Sequence, residues 1–393
     1  MDLFDILLIV AHLLIFIVFV NRYIFGEFFL HLNAKALSET IEEFEPSVTF
    51  IIPMYNEGSN IKNAIKSISQ LKYPKDKLHT IIIDDCSQDN SFKIATEEAK
   101  KFPNIQVFKN KKNIGKRKSL IWAVKKCPTE FVISMDSDVT LDKDVIFHLM
   151  RCFIRPDIAA VGGKINVANI NINWLTQMQT VKYFYSYECL KNIERAFFTV
   201  MCLSGCLTAY RKKVLIELEE LLANRNVFGI PIKYGEDRFL TRHIIKAGYK
   251  TTLTLYANAY TKVPENLNKY FSQQLRWRRS NIIDYFCGLS HIWKVHPIVG
   301  VHYLGLFAML MSYSMIIFQT IVSSYFFELM MYHLLILFGF SLFYQIKTWK
   351  YPKNKKASFP LSFLTIAIIM PVTYLILTPI ALFTLDSGSW ETR

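Results

Sequence analysis

Charge is what this sequence has little of. Charged side chains make up 20% of its 393 residues, against roughly 25% in ordinary globular domains. Acidic residues are the scarcer sign, and the net charge is +14. Hydrophobic side chains reach 52%, which excludes a disordered or linker protein. The apolar excess is gathered into long runs near the two ends, which argues against an ordinary soluble enzyme. Cysteine is sparse too: there are seven, an odd number, with no Cys-x-x-Cys pair. Cys202 and Cys206 lack a nearby pair of histidines, so a zinc site is not expected and the thiols are read as reduced. The basic surplus points to nucleic acid, an anionic membrane face or a phosphate-bearing substrate.

The apolar runs come next. Ile6 to Phe25 matches the roughly 20 residues that span a bilayer. A signal peptide needs a basic start and a small-residue cleavage site. The chain opens Met1-Asp2-Leu3-Phe4-Asp5 instead, so an anchor is expected. Ile298–Ser323 and Phe326–Tyr344 are two further expected spans. The lysine-rich loop after them, Lys347 to Lys356, belongs on the cytoplasmic side by the positive-inside rule. That places the large middle region in the cytoplasm too. A third run, Phe359 to Leu385, is divided by Pro360, Pro371 and Pro379. It either spans once or re-enters, since proline breaks helical hydrogen bonding.

Between these ends the pattern changes. Val48–Ile52 is a short run that then meets Pro53, Ile81–Ile83 leads into Asp84-Asp85, and Phe131–Ser134 leads into Asp136-Ser137-Asp138. Helical segments are expected at Asn60–Gln70 and Ser91–Lys101. Strand, helix, strand with continuously apolar strands predicts a parallel α/β sheet covered on both faces. Ligands of such sheets bind at the carboxyl ends of the strands.

Four motifs carry chemistry, each with a plainer reading beside it. Asp136-x-Asp138 offers two carboxylates for a hard ion, Mg2+ or Mn2+, held with substrate phosphates; a solvated turn is the alternative. Lys109 to Lys118 is densely basic, with Gly115 inside it. It fits a diphosphate, a solvated face or a nucleic-acid patch. In Gly235-Glu236-Asp237-Arg238, before a helix at Phe239–Ile245, a carboxylate is either a helix cap or a general base. Gln273-Gln-Leu-Arg276-Trp277 lies in a basic amphipathic stretch, Tyr270 to Trp293. That stretch reads as an interfacial helix, and its Trp can also stack on a sugar.

Taken in order, Pro53-Met-Tyr-Asn-Glu57, Asp84-Asp85, Asn113-Ile-Gly-Lys-Arg-Lys118, Asp136-Ser-Asp138, Gly235-Glu-Asp-Arg238, Gln273-x-x-Arg276-Trp277 and Ser389-Trp-Glu-Thr-Arg393 resemble the processive family-2 inverting glycosyltransferases. Within them the chain looks most like nodulation-type chitin-oligosaccharide synthases and bacterial hyaluronan synthases. The resemblance implies a cytoplasmic nucleotide-diphospho-sugar transferase (GT-A-like) α/β domain with an α-helical transmembrane region. It implies that Tyr55, Glu57 and Asp85 hold uridine. Lys116 and Arg117 lie near the nucleotide, and Asp136 and Asp138 hold Mg2+ or Mn2+ and the diphosphate. Asp237 is the base, flanked by the substrate-binding Glu236 and Arg238. Gln273 and Arg276 meet the diphosphate, Trp277 lines the acceptor site, and Trp390, Thr392 and Arg393 form a gating tail.

The organisation expected is an anchor at 1–26, a glycosyltransferase domain at 46–269, interfacial helices at 270–297, a transmembrane or re-entrant region at 298–385 and the tail at 386–393. If Arg393 meets a cytoplasmic diphosphate, the Phe359–Leu385 run must return to the side it left, broken near Pro371 and Pro379. The expected partners are a UDP-sugar, foremost UDP-N-acetylglucosamine, a growing glycan and membrane lipids of the inner or plasma membrane. Nucleic acid is not expected, and an oligomer stays open. Two other readings compete: a single-addition transferase acting on a lipid carrier, and a basic membrane-anchored binding protein.

Overall fold

A computed structural model describes residues 25–33, 44–227, 229–322, 326–352, 355–358 and 369–387, together with residues 6, 10, 13, 14, 17 and 21. The chain divides into two compact units. One takes in residues 32–166 and 187–262, the other residues 1–31, 167–186 and 263–393.

The first unit is built on an eight-stranded sheet. Four strands run parallel: β1 (Val48–Met54), β2 (Leu78–Asp84), β3 (Ile105–Lys109) and β4 (Phe131–Met135), in the order β3-β2-β1-β4. The order continues from β4 through β7 (Leu207–Arg211), β6 (Ile158–Val167) and β10 (Lys250–Thr261) to β5 (Thr140–Leu141). β7 pairs antiparallel with both β4 and β6, and β10 pairs antiparallel with β5. β8 (Asn226–Val227) and β9 (Ile230–Pro231) make a small hairpin of their own.

The central strands read as unbroken apolar runs because both faces are covered. β1 is buried at all seven positions and β4 at all five. Ile51, Ile83 and Val132 share a core with Leu120 and Val124 of helix Lys116–Lys126, and with Leu240 and Ile244 of helix Glu236–Lys246. Leu120, Ala123, Val124 and Cys127 recur at the three- and four-residue spacing of a helix face, and all are buried. Helices form at Asn60–Ser69 and Ser91–Ala99, close to the expected bounds.

Pro53 does not end β1, contrary to the sequence reading; the strand continues to Met54. A proline inside a sheet normally removes a ladder bond. Here the β4-side pairing stops at Ile51 opposite Ser134, while Pro53 pairs with Ile83 on the β2 side. The position is therefore already past the doubly paired part of the strand. Because β1, β2 and β4 run parallel and in register, their carboxyl ends meet along one edge of the sheet.

The second unit is helical. It contains Trp174–Phe184, Leu267–Gly288, Pro297–Val322, Phe326–Lys347 and Met370–Leu382. Among the described residues, Pro297–Gln319 is the one helix long and apolar enough to cross a membrane. Most of the expected Ile6–Phe25 span and residues 359–368 of the third run lie outside the described residues.

Two expectations are corrected here. The Tyr270–Trp293 stretch is not one helix: Leu267–Gly288 ends, and a short 3-10 segment, Leu289–Lys294, follows with His291 out of helical conformation. The third run is not broken at Pro379, which sits inside the continuous helix Met370–Leu382. Pro371 occupies the first turn, where no N–H is needed. Beyond it, Ala381 packs with Ile282 and Leu310, and Thr384 Oγ1 accepts from the Arg279 guanidinium at 2.8 and 3.0 Å. Packing on neighbouring helices is what lets a proline stay within an apolar helix.

Candidate active site

At the end of β1 the chain turns through Tyr55 to Ser59, with Asn56 in the left-handed region. This turn is laced to the one after β2. The Asn56 amide donates to Ser87 Oγ at 3.0 Å, the Glu57 and Gly58 amides both donate to Ser91 Oγ at 2.8 Å, and the Gln88 amide donates to Asn56 Oδ1 at 2.8 Å. The rim carrying Tyr55 and Glu57 is therefore fixed by bonds between backbone amides and side chains of the two turns.

Asp84 and Asp85, at the end of β2, are both fully buried. Asp85 organises the basic segment. Its Oδ1 accepts from Asn110 Nδ2 at 2.8 Å and the Ile114 amide at 2.9 Å, and its Oδ2 accepts from the Gly115 amide at 2.7 Å. Gly115 has φ +85° and ψ 150°, a conformation that side-chain-bearing residues avoid. The turn it makes starts helix Lys116–Lys126, so Asp85 and Gly115 together decide where Lys116 projects.

Lys116 is the hub. Its Nζ lies 2.8 Å from Asp136 Oδ1 and 2.6 Å from Glu236 Oε1, with the side chain only 12% exposed. Burial works to lower its pKa, but the two carboxylates outweigh it and hold the ammonium well above its ordinary value. Arg117 donates from Nη1 to the Ile232 carbonyl at 2.8 Å. Burial lowers its pKa, with Glu236 opposing. Lys109, Lys111, Lys112 and Lys118 stay at the surface, so within the basic segment Lys116 and Arg117 are the residues that turn inward.

Asp136 and Asp138 follow β4. The Asp136 amide donates to the Cys206 carbonyl at 3.3 Å, and Asp138 Oδ2 accepts from Thr261 Oγ1 at 3.0 Å. Among the described residues no group of three or more His, Cys, Asp or Glu is placed to hold a metal. An ion at Asp136 and Asp138 would thus take most of its ligands from phosphate oxygens and water. That is the habit of Mg2+ and Mn2+, which are bound by one or two carboxylates plus substrate phosphates. The donor set fits such an ion.

Glu236, Asp237 and Arg238 open helix Glu236–Lys246, with Gly235 at the cap position. Asp237 is therefore not the cap. Its Oδ2 accepts from the Gly205 amide at 3.3 Å and its Oδ1 from the Arg238 amide at 2.8 Å. A Cβ at Gly205 would stand 3.0 Å from Lys116 Nζ, 3.7 Å from Glu236 Oε1 and 3.8 Å from Asp237 Cβ. Gly205 is thus the floor on which Lys116, Glu236 and Asp237 converge.

Two residues of this neighbourhood carry no signal in the sequence. Arg225 is buried and donates from Nη1 to the Tyr234 carbonyl and, at 2.7 Å, to the Gly235 carbonyl. It fixes the turn that presents Glu236 and Asp237. Tyr187 is also buried. Burial pushes its phenol well up, the thiols of Cys206 and Cys202 and the Asp237 carboxylate add to this, and a hydrogen bond to Ser204 opposes it. It stays protonated beside Asp237. Tyr210, in the same surroundings, is pushed up by burial and by Asp237. Tyr187 lies in the π-helical turn Tyr185–Leu190, and Tyr210 lies on β7.

The remaining expected residues fall elsewhere. Gln273, Arg276 and Trp277 stand on helix Leu267–Gly288, in the other compact unit. Trp277 is 37% exposed, with Lys182 over its ring at 5.8 Å. Trp390, Thr392 and Arg393 lie outside the described residues.

The sheet edge is lined with carboxylates, fed by three parallel strands and one inward lysine, in an α/β fold of the GT-A-like type. Residues 49–219 form a domain of Glycosyl transferase family 2. Curated relatives agree. An N-acetylglucosaminyltransferase of Rhizobium sp. (strain N33) is 34% identical over 241 residues, 61% of this chain and 53% of the relative. One of Rhizobium meliloti (strain 1021) is 30% identical over 262 residues, 66% of this chain and 61% of the relative. The chain thus spans between half and two thirds of the length of these relatives. Among solved structures, a mannosyltransferase from Pyrobaculum calidifontis, in complex with GDP-Man and Mn2+, shares the fold. It has a TM-score of 0.61 and 17% identity, and the match covers 95% of this chain and 99% of that one.

Proposed function

We propose that this chain is an inverting glycosyltransferase that moves N-acetylglucosamine from a UDP-sugar onto the end of a growing β-linked glycan, working repeatedly at a membrane. The observation that carries the reading is the convergence of Lys116, Asp136, Glu236 and Asp237 around Gly205. It brings an aspartate, a cation and an Asp-x-Asp pair to the strand edge where α/β sheets bind ligands, which supports Asp237 as the base. The names of the relatives support the choice of sugar, and the ordered motifs through Gln273, Arg276 and Trp277 support repeated addition.

In this reading Asp237 takes the proton of an acceptor hydroxyl as its oxygen bonds to the anomeric carbon. The bond from that carbon to the UDP oxygen breaks in the same displacement, so the configuration inverts. Lys116 faces the charge that develops on the leaving diphosphate, where a positioned cation is worth most. Asp136 and Asp138 would hold a divalent ion, and that ion supplies Lewis-acid neutralisation of the diphosphate. The Gly205 amide orients the Asp237 carboxylate. Tyr55, Glu57 and Asp85 frame the uridine side, Arg117 and Arg238 add positive charge around the nucleotide, and Gln273, Arg276, Trp277, Trp390, Thr392 and Arg393 complete the donor and acceptor contacts.

Incubating the detergent-solubilised chain with UDP-N-acetylglucosamine alone, with UDP-glucuronate alone and with both, then sizing the product, tests this. Oligosaccharides longer than one added sugar are expected from UDP-N-acetylglucosamine alone, and none in excess EDTA. A single added sugar would replace the processive reading with a one-step transferase. No UDP released from any UDP-sugar would overturn the enzyme.

A further inference from the structure

The helical unit holds two cations, Arg278 buried and Lys182 half-buried, whose charges bear on each other. Lys182, on helix Trp174–Phe184, hydrogen-bonds to Gln274 Oε1 and lies over the rings of Tyr270 at 5.7 Å and Trp277 at 5.8 Å. Arg278 is 6% exposed and stacks its guanidinium 3.6 Å above the Tyr374 ring. The charge of Arg278 bears on both Lys182 and the Tyr270 phenol. Among the described residues neither cation has a carboxylate partner. The Tyr270 hydroxyl is buried with no hydrogen-bond partner. Burial, with Arg278 adding to it, pulls the Lys182 ammonium down to about 7.

Two like charges out of water and an orphaned hydroxyl are costly unless something answers them. All three groups are donors. Lysine gives a point charge, arginine a fork and tyrosine a single O–H, a set that matches the oxygens of a phosphate group. The four-residue spacing of Tyr270, Gln274 and Arg278 puts them along one helix face, on which Trp277 also falls. Arg276, which the proposed function gives to the donor diphosphate, lies on a different side of the same helix by that periodicity. Lys182 is half-buried and Trp277 partly exposed, which leaves a way in from the surface.

We propose that Lys182, Arg278 and the Tyr270 hydroxyl form a phosphate-binding site that uses none of the residues given to the donor diphosphate above. The ligand is a phosphate group, either free as pyrophosphate or phosphate, or carried on a lipid headgroup.

The test follows thermal unfolding of the full chain in uncharged detergent with EDTA present, so that metal-dependent binding at Asp136 and Asp138 does not contribute. Wild type is titrated with inorganic pyrophosphate and with inorganic phosphate. In a parallel arm it is placed in vesicles of phosphatidylcholine alone or mixed with phosphatidylglycerol. An upward shift in Tm with pyrophosphate or phosphate assigns a free anion, and one only with phosphatidylglycerol assigns a headgroup. Lys182→Met removes a buried charge beside Arg278, so its Tm without anion should equal or exceed wild type. Its half-saturating anion concentration should rise roughly tenfold or more. Arg278→Met should lose the response likewise. A Lys182→Met protein that is less stable than wild type yet responds normally would make Lys182 structural only and overturn the proposal. So would a wild type whose Tm no probe moves.

Discussion

At the scale of single residues, the decisive fact is that one ammonium serves two carboxylates. A buried ion pair is costly to assemble, and breaking one side of it leaves an uncompensated charge. Lys116 lies between Asp136 and Glu236, and its pKa stays raised despite burial. For a group raised in the folded state, the stabilisation is complete below the unfolded pKa and is lost only as pH climbs through the folded one. Lys116 therefore remains charged across every working pH, and its pairing does not make the site pH-sensitive near neutrality. The carboxylates Asp136, Asp138, Glu236 and Asp237 outnumber Lys116 and Arg117, so a bare diphosphate would meet an acidic surplus. That surplus is a further reason to expect a divalent ion with the donor. Asp237→Asn keeps the shape and removes the base. It should lower the transfer rate at least a hundredfold, by the roughly 10²–10⁴ that a positioned base contributes, while UDP binding measured by calorimetry persists. Near-normal product from this variant would remove Asp237 from the base role.

At the scale of elements, the site depends on where strands stop. β1, β2 and β4 end together because their parallel registers align, and the loops they release carry the acidic residues. The antiparallel strands beside β4 must pack closely for Thr261 and Gly205 to reach that edge. Gly163 on β6 is a point of close approach: a Cβ there would sit 2.5 Å from Leu207 Cδ2 on β7 and 2.8 Å from the Ala257 carbonyl on β10. The leucine tip can shift, but the backbone carbonyl cannot do so without moving the strand. Gly163→Ala should cost about 1–3 kcal/mol, the range for overpacking a core. It should appear as a lower Tm in a thermal melt. An unchanged Tm would mean that the sheet gives more easily here than its geometry indicates.

At the scale of the whole molecule, two helices expose large apolar side chains. Helix Pro297–Val322 and helix Phe326–Lys347 carry large exposed apolar side chains, among them Met315, Phe318, Ile321, Phe327, Leu335 and Ile346. Contiguous apolar surface of this kind marks a membrane or a partner. Pro297–Gln319 has the length to cross a bilayer, and we propose that the chain is membrane-inserted with its sheet on the cytoplasmic side. After cell lysis it should sediment with membranes and stay there through high salt and carbonate washing, leaving only in detergent. Release by salt alone would reduce the attachment to surface charge.

The sequence by itself determined the α/β class, the strand ends that carry Asp85, Asp136 and Asp138, and the order of the motifs. These are local signals: an apolar run covered on both faces and the polar residues that stop it. Only tertiary structure decided that Lys116, rather than the rest of its basic segment, turns inward onto Asp136 and Glu236. Only it showed that Asp85 organises the 110–115 loop and that Arg225 fixes the turn that presents Asp237. It also carried the helix Met370–Leu382 through Pro379 against the sequence expectation. The physical reason is the same each time. Periodicity and propensity act between neighbours along the chain, whereas the pairing of a charge or the tolerance of a proline is settled by partners that only folding brings near.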